Sequence, residues 1–196
     1  MNKEMIKIKI CILGKSGVGK TALFKRLIQK QNYIHNNSEP VTIGAELYNL
    51  VYKSDDKKYN LNIWDTAGQE RYKSLLPLYY RYADIIILMY DITEYKSWEE
   101  IDYWREELEN CNDIPIVLVG NKSDIILNMN INVDEIEEYT KINNIPHVLC
   151  SVLSGENVDK IIPLVIEKMK EKKNHEKINI NYELHNSKRN RYGKCC

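Results

Sequence analysis

Between Leu13 and Ala22 the chain reads Gly14-Lys15-Ser16-Gly17-Val18-Gly19-Lys20-Thr21, and no other stretch restricts its fold so tightly. The run fits the phosphate-loop pattern GxxxxGK[ST] without a gap. Ile6 to Leu13, before it, is an apolar-rich strand pattern. Ala22 to Lys30, after it, contains no Gly or Pro and predicts a helix. Strand, Gly-rich loop and helix in this order are the context in which such a loop holds phosphate. Glycines let backbone N–H groups from Ser16 to Gly19 approach anionic oxygens, and the helix start adds its partial positive charge. Lys20 then reaches the terminal phosphates, and the Thr21 hydroxyl suits a Mg²⁺ ion.

The rest of the chain alternates. Gln31 to Val41 is polar and reads as a surface loop ending at Thr42-Ile43-Gly44. Ala45 to Lys53 and Tyr59 to Trp64 predict a hairpin about Ser54 to Lys58. Arg71 to Tyr82 reads as partly helical, interrupted at Pro77. Ile85 to Tyr90 and Ile116 to Val119 are continuous apolar runs, as in strands buried on both faces. Ser97 to Asn110 spaces Trp98, Ile101, Trp104 and Leu108 as one face of a helix. Val133 to Lys141 predicts a helix, Pro146 to Cys150 a short strand and Asn157 to Lys173 a last helix. The expectation is an α/β domain: a mostly parallel sheet with one antiparallel hairpin strand and helices on both faces.

Its 196 residues suit one domain, expected over 1–173, with a polar, disordered tail over 174–196. The formal charge is zero, so no global field points to a nucleic-acid polymer. The tail carries five basic and two acidic residues, against 23 basic and 26 acidic in the body. No apolar run approaches the ~20 residues that span a bilayer. Met1-Asn2-Lys3-Glu4 opens no secretory signal and has no Gly at position 2 for myristoylation. Cys11 and Cys150 sit in strand-like runs and Cys111 closes a helix; together they suggest a reducing compartment.

Two further motifs follow strands. Asp65 suits the carboxylate that holds Mg²⁺, here through a water. Gly68 supplies a hinge and an N–H for a γ-phosphate, and the Gln69 amide can orient an attacking water. Asn121-Lys122-Ser123-Asp124 selects the base: guanine presents two donors, N1–H and N2–H₂, on one edge, and the Asp124 carboxylate accepts both. The Asn121 amide can meet guanine N7 or tie neighbouring loops, and the Lys122 methylenes can cover the purine face.

The loop Gly14–Thr21, Thr42-Ile43-Gly44, Trp64 to Tyr72 and Asn121–Asp124 together resemble the Ras-like small GTPases, over about residues 5–170. Trp64 before Asp65, Thr-Ile-Gly, Tyr79-Tyr80-Arg81 and the terminal Cys195-Cys196 resemble the Rab branch, and Arg71 to Leu75 with Pro77 its endosomal subgroup. The resemblance implies slow GTP hydrolysis, with Gln69 positioning the water and an activating protein supplying the missing charge stabilisation. It implies that Thr42 binds Mg²⁺ and the γ-phosphate, and that Ser16, small at the place an incoming arginine must pass, leaves activity intact. It also implies an exchange factor, effectors, a dissociation inhibitor, a prenylation escort and a monomeric G domain. The effector-reading aromatic trio falls on Leu47, Trp64 and Tyr79, with Leu where Phe is usual.

Two other departures stand out. The last base loop, usually Ser-Ala-Lys, is Ser151-Val152-Leu153; backbone contacts to guanine O6 survive, but the lysine does not. The segment between Lys20 and Thr42 is about three residues longer than usual, which leaves Tyr33 as the candidate aromatic at the guanine edge. The resemblance further implies geranylgeranylation of Cys195 and Cys196, two chains giving stable anchoring at the cytoplasmic face of an intracellular membrane. The basic residues Lys188 to Lys194 add attraction to anionic lipid. Two rivals stay open: a phosphate-loop kinase or ATPase, which leaves Asn121–Asp124 unexplained, and a non-hydrolysing switch protein, which accommodates the altered base loop and long first switch.

Overall fold

A computed structural model describes residues 5–29, 33–34, 42–68, 74–111 and 114–174. Within the described residues six strands form one sheet in the order β2-β3-β1-β4-β5-β6. They are β1 (Met5–Leu13), β2 (Ala45–Ser54), β3 (Lys57–Thr66), β4 (Ile85–Asp91), β5 (Ile116–Asn121) and β6 (His147–Leu149). Among the described strands only β2 and β3 pair antiparallel; every other neighbouring pair is parallel. The helices are α1 (Lys20–Gln29), α2 (Leu76–Tyr80), α3 (Tyr95–Glu109), α4 (Val133–Ile142) and α5 over 161–174.

Strand β4 explains the two-sided covering. All seven of its residues are buried. Its Ile85, Ile87 and Met89 face a core closed by α1 and α5, through Leu23, Phe24 and Ile162. Its Ile86, Leu88 and Tyr90 face a second core closed by α2, α3 and α4, through Tyr80, Trp104 and Ile136. Period-2 alternation thus supplies both faces from one apolar run. Strand β1 lies between β3 and β4, where the sheet order reverses direction, and the loop leaving it opens into the crevice that such reversals create.

The structure sharpens three boundaries. The hairpin turns on Asp55 and Asp56 alone, both left-handed at φ 49° and 59°, which Asp tolerates better than most residues. Pro77 does not interrupt a helix; it lies in the first turn of α2, where its missing N–H has no intrahelical partner to lose. Two unforeseen 3₁₀ turns over Ser123–Asn128, kinked at Ile125, follow β5 after Lys122.

Candidate functional site

Helix α1 starts at Lys20, two residues before the predicted Ala22, so the phosphate loop runs straight into its first turn. Lys20 is only 5% exposed, and its Nζ donates to the carbonyls of Gly14 and Lys15, both at 2.8 Å. Burial pushes its pKa down to about 8, against the opposing pull of the Asp65 and Glu100 carboxylates. The segment after β3 lies on this loop. A Cβ at Gly68 would come within 2.1 Å of Lys20 Nζ and 2.9 Å of the Ser16 backbone, so only glycine permits the approach.

Beside Lys20 sits Asp65, fully buried at the end of β3, with no hydrogen-bond partner on either carboxylate oxygen among the described residues. Burial pushes it up to about 6, offset by the neighbouring Thr21 hydroxyl and the Lys20 ammonium. The Thr21 and Thr42 hydroxyls bond each other at 2.7 Å, and neither closes a normal hydrogen bond to the carboxylate. Unpartnered buried carboxylates are costly. Two hydroxyls and an orphan carboxylate form an all-oxygen donor set that fits Mg²⁺, with further positions for water and phosphate oxygens.

The base side is assembled from β5, β6 and the loops after them. Asn121, 3% exposed, donates from Nδ2 to the Val18 carbonyl at 2.8 Å and accepts from the Val152 N–H at 3.0 Å. Of its two predicted uses, it makes the loop tie. Asp124 stays exposed and accepts from the Ser151 hydroxyl, which in turn accepts from the Ser154 N–H at 3.0 Å. Lys122 adopts a left-handed backbone, φ 73°, and its ammonium pairs with buried Asp91. Asp91 is itself held by the Thr93 N–H at 2.9 Å and hydroxyl at 2.7 Å. Ser151 and Val152 are buried, whereas Leu153 points outward at 52% exposure.

These groups gather at one edge of the sheet, at the C-terminal ends of β1, β3, β4, β5 and β6, with Thr42 in the segment that enters antiparallel β2. Residues 9–171 match the Ras family. The chain belongs to that family. It is 35% identical over 167 residues to the Ras-related protein RABG3d of Arabidopsis thaliana, covering 81% of this chain and 80% of that one. It is 38% identical over 162 residues to Rab7A of Mesembryanthemum crystallinum, covering 78% and 77%. With SEC4 of Candida albicans the identity is 36% over 156 residues, covering 79% and 73%. The chain is therefore a Rab-branch small GTPase, a nucleotide-dependent regulator of vesicle traffic.

In this Rab-branch GTPase the three predicted effector residues come together. Leu47 pairs with Trp64 across the hairpin, and the Trp64 and Tyr79 rings lie 5.8 Å apart. Leu47 is 44% exposed. Tyr33 packs against the α1–α5 core with the Arg26 guanidinium 5.0 Å from its ring centre. Gln69, Cys195 and Cys196 lie outside the described residues. Sequence reasoning missed Asp91 and Arg26, because what each does depends on a partner remote in sequence. Among the described residues no helix is long and apolar enough to cross a membrane.

Proposed function

We propose that this GTPase holds its nucleotide with the phosphates on Ser16 to Thr21 and the guanine on Asn121, Lys122, Asp124 and Ser151 to Leu153. Tyr33 closes the base edge, and Thr21, Thr42 and Asp65 hold Mg²⁺. The observation that carries this reading is the buried, unpartnered Asp65 beside Lys20 and the paired Thr21 and Thr42 hydroxyls. When bound, the metal neutralises charge on the phosphate oxygens.

The chain's own groups do the rest. Lys20 exchanges its loop carbonyls for phosphate oxygens, and a basic group there offsets negative charge as the γ-phosphoryl departs. The Gly68 N–H meets the γ-phosphate, and Gln69, next in sequence, orients the water that attacks it as the bond to the bridging oxygen breaks. With GTP, contacts at Thr42 and Gly68 hold two loops that relax on hydrolysis. An exchange factor, an activating protein, effectors reading Leu47, Trp64 and Tyr79, a dissociation inhibitor and a prenylation escort complete the cycle. The G domain spans 1–173 and the tail 174–196, with Cys195 and Cys196 geranylgeranylated to anchor the protein at the cytoplasmic face of an endosomal-type membrane.

The test is nucleotide competition with single-turnover hydrolysis. GTP displaces bound GDP and ATP does not; equal displacement by ATP sinks the base assignment. Asp124→Asn weakens GTP binding about ten- to a hundredfold, as expected for hydrogen bonds to a charged group, and gains xanthine nucleotide. Gln69→Leu slows single-turnover hydrolysis; an unchanged rate removes the role given to Gln69.

A further inference from the structure

Arg26 lies in none of the three nucleotide motifs. It is a half-buried residue in the last turn of α1, and its guanidinium reaches across 127 residues to the last base loop. Nη1 donates to the Leu153 carbonyl at 3.1 Å and Nη2 to the Ser154 carbonyl at 2.9 Å. Its other surface covers the Tyr33 ring at 5.0 Å. The loop is shaped around it. Gly155 has φ +93°, and a Cβ there would come within 2.1 Å of Arg26 Nη2. The loop is a tight turn, with the Gly155 N–H bonded to the Ser151 carbonyl at 2.8 Å. It also carries the Val152 N–H that Asn121 holds, and in the base-site reading above, on which this inference rests, its backbone is the part of the protein that meets a purine's position 6.

We propose that Arg26 is a positioning residue of the guanine site: one guanidinium sets both the Ser151–Gly155 loop and the aromatic at the base edge. It does so where Leu153 provides no ammonium. A planar fork donating to two consecutive carbonyls while stacking on a ring is a task for Arg rather than Lys. Loss of the fork lets the loop shift away from O6, whereas contacts at N1 and N2, made by Asp124, persist.

Stopped-flow release of GDP and of 6-thio-GDP, which replaces O6 by a weak acceptor, tests this. Arg26→Ala accelerates GDP release about tenfold, the equivalent of one charged hydrogen bond. It accelerates 6-thio-GDP release by less than about threefold, so discrimination at position 6 collapses. Arg26→Lys falls between wild type and Ala. Equal acceleration of both nucleotides overturns the positioning role, since general loosening does not distinguish O from S. No acceleration, with Asp124→Asn still loosening GDP, overturns the role of Arg26 alone. Indifference to both substitutions overturns the base-site reading as well.

Discussion

Asn121 is tied to Val18: its amide donates to the Val18 carbonyl at 2.8 Å across 103 residues, while its Oδ1 accepts from Val152. One buried side chain thus joins the phosphate loop to the base loop. Asn121→Ala removes both bonds and leaves a carbonyl and an N–H unpaired in a buried place, at about 1–3 kcal/mol each. Thermal melts with GDP will show a clear loss of stability, and GDP release will rise at least about tenfold.

Asp65 is a buried carboxylate whose oxygens find no hydrogen-bond partner among the described residues, a setting that favours a divalent cation bound to it. Chelation of Mg²⁺ by EDTA will accelerate GDP release from the wild type. Asp65→Asn replaces the charge with a neutral amide, so release will be fast, by about tenfold or more, with or without EDTA. Retained EDTA sensitivity in Asp65→Asn would contradict the role given to this residue.

His147 provides a pH dependence remote from the nucleotide. Its Nε2 lies 2.9 Å from the Tyr90 hydroxyl, and the two rings stack at 6.0 Å. Burial pushes the imidazole down to about 4 from its ordinary 6.5. Above pH 6.5 the folded and unfolded chains are both neutral here, and His147 adds no dependence. As pH falls from 6.5 to 4, the unfolded chain takes up a proton that the folded chain refuses, so stability falls. Below 4 both are protonated and the loss levels off, at up to about 3 kcal/mol. His147→Gln, whose amide can pair with the Tyr90 hydroxyl as donor or acceptor but does not titrate, will flatten this part of the curve in denaturant titrations at pH 7 and 4.5.

Motifs built from near neighbours are legible in the chain alone. Gly14–Thr21 between a strand and a helix, Asp65 at a strand end and Asn121–Asp124 after another each carry their meaning within a few residues. The apolar run of β4 likewise announced burial on both faces, because period-2 alternation needs only one strand. Tertiary structure decided the rest. Asn121 had two chemically reasonable uses, and the tie is visible only once the loops after β1 and β5 meet at one sheet edge. Pro77 has the same ring whether it breaks a helix or opens one; where the backbone enters α2 settles which. Lys122 reads as a base-covering side chain, and only the fold shows that the end of β4 brings Asp91 to its ammonium. Arg26 reads as one more charge on an amphipathic helix, because its partners lie 127 and 128 residues away. Periodicity fixes which face of an element is buried, but not which distant loop the fold lays against the other.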